Sequence, residues 1–125
     1  MEMKRPCILI IEDDWEMRSL LEEFLKEEGF EVDSIGDGSG ALSRVYQRIF
    51  DLVIIDLWIG DVSGLSILPV LKKIRPRIPV IAITAFGSEE VRWRALDRGA
   101  DAYLEKPLQL EELRSLMDRM ISSRE

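Results

Sequence analysis

The stretch Cys7-Ile-Leu-Ile-Ile-Glu-Asp-Asp14, CILIIEDD, runs from an unbroken apolar segment straight into three carboxylates. An apolar run without polar alternation suits a strand buried on both faces, as in a parallel sheet covered by helices. Ile8–Ile11 is such a run, and Leu52–Ile55 and Val80–Ile83 share its character. Phe30–Ile35 and Ala102–Glu105 mix apolar and polar residues and read as edge strands. The three acids closing the opening stretch repel one another and raise each other's pKa, so the fold must supply something that neutralises them.

Helical periodicity fills the gaps between strands. Met17, Leu20, Leu21, Phe24 and Leu25 form one stripe, ended by Gly29 as a C-cap. Ala41, Leu42, Val45, Tyr46 and Ile49 form a second, and Leu65, Leu68, Leu71 and Ile74 a third that stops before Pro76. Ser88 caps a fourth helix, with Glu89 and Glu90 favoured by its dipole. Leu110, Leu113, Leu116, Met117 and Met120 mark the fifth. Strand then helix, five times with short connections, is an α/β doubly wound domain. Three buried strands and two half-polar ones fit a five-stranded parallel sheet of order 2-1-3-4-5, the flavodoxin-like (βα)5 arrangement, with strands 2 and 5 at the edges. Residues 1–125 are expected to form one domain, with any ligand beyond the carboxyl ends of strands 1 and 3.

Bulk properties narrow the function. With 46% hydrophobic residues the chain of 125 residues can bury a core, and its net charge of −7 argues against a nucleic-acid or anionic-membrane binder. Cys7 has no second cysteine to pair with and is expected to be a small buried hydrophobe, consistent with a reducing compartment. Neither a signal peptide nor a transmembrane run is expected, so the location expected is cytoplasmic. The absence of histidine removes Ser-His-Asp and Cys-His catalysis and the usual zinc sites.

At the strand ends stand Glu12, Asp13 and Asp14 (strand 1), Asp56 (strand 3), Thr84 (strand 4), and Glu105 and Lys106 followed by Pro107 (strand 5). Carboxylates without nitrogen or sulfur donors suit a hard cation, Mg²⁺ above all. Lys106 and Thr84 are explained by a phosphoryl group whose oxygens an ammonium and a hydroxyl can bind, with Asp56 as the nucleophile.

The segments ILIIEDD (Ile8 to Asp14), DLVIIDLWIGDVSGL (Asp51 to Leu65), VIAITA (Val80 to Ala85) and GADAYLEKP (Gly99 to Pro107), in this order and spacing, resemble the response regulator receiver domain of two-component signalling. The resemblance covers the chain from Ile8 to about Met120. It implies that Asp56 accepts a phosphoryl group from the phosphohistidine of a sensor histidine kinase. It implies Mg²⁺ held by the side chains of Asp13 and Asp56 and the backbone carbonyl of Trp58, with Glu12 acting directly or through water. Lys106 would pair with one phosphoryl oxygen and Thr84 with another, Tyr103 would be the aromatic switch that follows Thr84, and the Lys106–Pro107 bond is expected to be cis. The resemblance further implies that the domain catalyses only its own phosphorylation and dephosphorylation. The surface of helix 4, strand 5 and helix 5 would then change, acting on an effector protein, an output domain or a second copy in a homodimer. TAFGS (Thr84 to Ser88) is similar to receivers attached to transcriptional activators of the nitrogen-regulation type.

Several residues carry plainer readings. Asp14 is read first as the N-cap of helix 1, Glu105 as an edge-strand residue facing solvent, and Gly36-Asp-Gly-Ser-Gly40 as the loop capping helix 2, since it lacks a P-loop lysine. Trp93 lies opposite Val91 and Ala95 and is either incidental or part of a partner surface. Gly60 stands where the family commonly has proline and Ser63 where Asp is common, so the Leu57–Ser63 loop is expected to be mobile. A haloacid-dehalogenase-type phosphatase needs a second Asp where Trp58 stands, and a flavodoxin-type phosphate cradle would be repelled by Glu12-Asp-Asp14. A pseudo-receiver would not need the full set of Glu12, Asp13, Asp56, Thr84 and Lys106.

Overall fold

The structure is a computed structural model that describes residues 4–59 and 62–122. Its elements are β1 (Cys7–Ile11), α1 (Trp15–Glu27), β2 (Glu31–Ile35), α2 (Gly38–Gln47), β3 (Leu52–Asp56), the short β4 (Trp58–Ile59) and β5 (Val62–Ser63), α3 (Gly64–Ile74), β6 (Val80–Thr84), α4 (Glu89–Asp97), β7 (Ala102–Glu105) and α5 (Leu110–Ser122). The main sheet is parallel throughout, in the order β2-β1-β3-β6-β7. Among these five strands that is the expected 2-1-3-4-5. The β4–β5 hairpin was not foreseen: two-residue strands carry no periodic signal. It occupies the loop expected to be mobile, of which Gly60 and Asp61 lie outside the described residues.

Strand alternation builds two cores. Ile8, Ile10, Leu52, Ile54, Ile81 and Ile83 point to one face, where they meet Leu21 and Leu25 of α1 and Leu113 and Met117 of α5. Leu9, Ile11, Val53, Ile55, Val80 and Ala82 point to the other, against Ala41 and Val45 of α2, Leu68 and Leu71 of α3 and Ala95 of α4. Each of the buried Val, Leu, Ile and Met side chains contributes about 1.5–3 kcal/mol, and together they fix the strand ends. Gly29, at φ +95°, ends α1 as expected, because this left-handed conformation suits a residue without Cβ. Asp14, Asp37, Ser63 and Ser88 cap α1, α2, α3 and α4, each accepting a backbone N–H of the first turn.

One stripe departs from expectation. Ala41 and Val45 are buried, but Tyr46 and Ile49 are 73% and 72% exposed. α2 stops at Gln47, so Ile49 falls beyond the helix and outside its periodicity. Leu20, on the stripe of α1, is also exposed. Among the described residues no helix is long and apolar enough to cross a membrane.

Candidate phosphoryl and metal site

Register brings the acids together. Ile11 pairs with Ile55 across β1 and β3, so the next residues, Glu12 just past β1 and Asp56 at the end of β3, stand side by side at the carboxyl end of the sheet. Ligand oxygens of Glu12, Asp13 and Asp56 lie within 4.8 Å of one another. Lys106, just past β7, reaches across: its Nζ donates to Glu12 Oε1 at 2.7 Å and to Asp56 Oδ2 at 2.9 Å. The Lys106–Pro107 peptide bond is cis, as expected. A cavity of about 240 Å³ opens here, lined by Glu12, Asp13, Asp14, Asp56, Trp58, Ala85, Phe86 and Lys106.

The electrostatics answer the question posed by the opening stretch. Glu12 has no solvent exposure. Burial pushes its carboxyl up to about 7, the adjoining Asp56 carboxyl adds to the rise, and the Lys106 ammonium opposes it. Burial pulls the Lys106 ammonium down, but its bonds to Glu12 and Asp56 outweigh that and hold it above its usual value. One ammonium faces three carboxylates, which leaves excess negative charge around oxygen donors alone. That donor set fits a hard divalent cation such as Mg²⁺.

Other expected residues fall as follows. Asp56 Oδ1 accepts the Trp58 backbone N–H at 2.9 Å, which orients the carboxylate. Trp58 and Phe86 line the cavity with exposed side chains. Thr84 is fully buried, is not among the lining residues, and its Oγ1 accepts the Phe86 N–H at 3.1 Å. Tyr103 is half-buried, and its hydroxyl donates to Glu105 Oε2 at 3.1 Å. Glu105 is exposed, as expected, and Trp93 is 65% exposed on the side of α4 away from Ala95.

Two supporting residues were not anticipated. Gly64 opens α3 directly under the acceptor: a Cβ there would sit 2.5 Å from the Asp56 carbonyl oxygen and 2.8 Å from Leu57 Cα. Arg18 donates from Nη1 to the Glu12 carbonyl at 2.9 Å, tying α1 to the acidic turn. The Gly64 signal was present in VSGL, where a glycine opens a helix; Arg18 lies on an apolar-striped helix and gives none.

Comparison with known proteins adds independent findings. Residues 8–118 match the family model of the response regulator receiver domain. The chain is 36% identical over 93% of its length to the transcriptional activator protein PfeR of Pseudomonas aeruginosa, covering 38% of that protein. It is 40% identical over 93% of its length to the phosphate regulon transcriptional regulatory protein PhoB of Rhizobium meliloti, covering 52% of it. The chain thus spans about half or less of these relatives. Among solved structures, the beryllofluoride-activated NtrC4 receiver domain dimer matches with a TM-score of 0.89 at 26% identity, covering 95% of this chain and 98% of that one. The receiver domain of the Francisella response regulator 1452 matches with a TM-score of 0.91 at 27% identity, covering 97% and 100%.

Proposed function

The chain belongs to the response regulator receiver domain family, and from that premise we propose that residues 1–125 form one receiver domain acting as a phosphoacceptor switch, with Asp56 as the acceptor. The observation that carries the reading is Lys106, bonded at once to Asp56 and Glu12 beside Asp13 at the mouth of a cavity. A surface ion pair would not bury three groups this far; a site that exchanges one anionic group for another would.

In the proposed reaction a carboxylate oxygen of Asp56 attacks the phosphorus of a phosphohistidine on a sensor histidine kinase. An O–P bond forms, the P–N bond breaks, and the electron pair leaves with the imidazole nitrogen. The Trp58 N–H holds the attacking carboxylate. Lys106 is already within reach of the incoming oxygens and neutralises part of their charge. Glu12, Asp13, Asp56 and the Trp58 carbonyl would hold Mg²⁺, which when bound supplies the positive charge that lets an anionic donor approach clustered carboxylates. Glu12 joins the cation in its ionised form. Thr84 turns its hydroxyl toward the new phosphoryl group, leaving the Phe86 N–H, and Tyr103 follows inward from Glu105. The α4–β7–α5 surface, including Trp93, changes as a result and alters affinity for an effector protein, an output domain or a second copy. The chain acts on no outside substrate beyond the donor, and its expected setting is cytoplasmic.

Amide spectra recorded with beryllofluoride and Mg²⁺, a stable stand-in for the phosphoryl group, test the switch. Shifts reaching Thr84, Tyr103 and Trp93 are expected in the parent and none in Asp56→Asn. Shifts confined to the cavity would refute the propagation.

A further inference from the structure

The pole of the sheet opposite the acids carries a second feature, which stands independently of the phosphoacceptor reading. Parallel strands bring the segments preceding β1, β3 and β6 to one end, roughly 16 Å from the carboxyl ends for five-residue strands. There an apolar cleft of about 260 Å³ is lined by Ile49, Phe50, Arg75, Pro76, Arg77 and Ile78. Phe50 and Ile78 form its buried floor, while Ile49 stands 72% exposed on its rim. Ile49 also borders a second cavity, whose lining includes Lys4, Arg5 and Arg48.

Three observations identify what this surface would take. The first is apolar surplus. Tyr46, near the end of α2, and Ile49, just beyond it, are the two most exposed large apolar residues among those described, so the sequence supplies apolar surface that this domain does not bury. The second is charge. Arg75 donates Nε to the Val45 carbonyl at 3.2 Å and Nη2 to the Tyr46 carbonyl at 3.1 Å. Those bonds fix the guanidinium without neutralising it, and among the described residues neither Arg75 nor Arg77 forms an ion pair with a carboxylate. In a chain of net charge −7, this corner is locally cationic. The third is size. The cleft is smaller than the ~300–1,000 Å³ of small-molecule sites and suits one anchoring side chain.

We propose that the cleft between the α2–β3 and α3–β6 loops is a docking site for an acidic peptide segment of a partner protein. A large apolar side chain would enter between Ile49 and Ile78, and flanking carboxylates would meet Arg75 and Arg77. An apolar anchor ringed by charge complementarity is how protein interfaces combine affinity with orientation. An anionic lipid surface is the weaker fit, because Glu31 and Asp51 line the neighbouring cavity.

The probe is a capped synthetic peptide with one tryptophan between two pairs of glutamates, titrated into isotope-labelled protein and read by amide shifts. Saturable shifts centred on Ile49, Phe50, Arg77 and Ile78 are expected, weakening at high salt. Arg77→Glu and Ile49→Ser, both exposed positions, should each weaken binding at least tenfold while leaving the rest of the spectrum unchanged. Equal shifts from the lysine-flanked version of the peptide would overturn the proposal, as would saturation elsewhere on the surface or no saturation at all. Tighter binding to phosphatidylglycerol vesicles than to the peptide would assign the patch to a membrane instead. Concentration-dependent dimerisation abolished by Ile49→Ser would assign it to a second copy, and either result ends the peptide reading.

Discussion

Replacing Lys106 by methionine removes the ammonium while keeping much of the stem. In the parent, Lys106 Nζ is 2.7 Å from a carboxylate with no exposure (Glu12) and 2.9 Å from one of 7% side-chain exposure (Asp56). Deleting one partner of a buried pair leaves an uncompensated charge and costs about 3–5 kcal/mol. Here two carboxylates are stranded beside a third. Against a typical stability of about 5–15 kcal/mol, the variant should still fold but lose a large share of its margin. At about 2 kcal/mol per molar urea the midpoint should fall by roughly 2 M. The assay is urea unfolding without metal, at pH 8 and at pH 5. Without Lys106 the Glu12 carboxyl rises further than its present value of about 7, so the variant keeps a proton on Glu12 to higher pH. The loss should therefore be large at pH 8 and shrink at pH 5. Mg²⁺ should narrow it at pH 8, because cation and ammonium neutralise the same oxygens. A metal-free loss below about 1 kcal/mol at pH 8 would mean that the ammonium does not hold this cluster together, and the electrostatic account would fail.

Other outcomes follow from the same geometry. Glu12, raised from 4.5 to about 7, binds more protons folded than unfolded between those values, so metal-free stability should fall by at most about 3 kcal/mol as pH rises across that window, and Glu12→Gln should flatten the profile in urea melts. Over the same window Mg²⁺ affinity, read by calorimetry, should rise with pH as the competing proton leaves. Gly64→Ala drives a Cβ onto the Asp56 carbonyl and should cost about 1–3 kcal/mol by thermal unfolding and slow acceptor phosphorylation. Trp58 and Phe86 crowd the cavity mouth, so Trp58→Ala with Phe86→Ala should shorten the phosphoryl lifetime severalfold by intact-mass decay; an unchanged lifetime would clear both residues of shielding the bond from water.

Much of this was legible in the sequence, for physical reasons. Strands buried on both faces cannot alternate, so Ile8–Ile11, Leu52–Ile55 and Val80–Ile83 announced themselves, and a doubly wound sheet then fixed which residues meet. Glu12, Asp13 and Asp56 converge because they stand at the ends of the neighbouring strands β1 and β3, and Lys106, just past β7, reaches them across β6. Caps at Asp14 and Ser88 were equally readable, because each is a short polar side chain ahead of a periodic segment, whereas the stretch 36–40, read whole as the loop capping helix 2, gives Gly38 to Gly40 to the first turn of α2, with Asp37 as the cap. What escaped was what depends on three dimensions. The β4–β5 hairpin is too short to carry a period. Tyr46 and Ile49 fit a helical stripe, but the helix ends before the second of them. The inward bond of Thr84 to the Phe86 N–H and the outward bond of Tyr103 to Glu105 are rotamer choices that no spacing encodes.

The central claim is that Asp56 accepts a phosphoryl group. Intact-mass spectrometry after incubation with acetyl phosphate, with and without Mg²⁺, for the parent and Asp56→Asn, tests it most directly. The account predicts a gain of one phosphoryl group in the parent with Mg²⁺, none without the metal, and none in the variant. The same gain in Asp56→Asn would contradict it, and so would no gain in the parent from either acetyl phosphate or a phosphorylated histidine kinase.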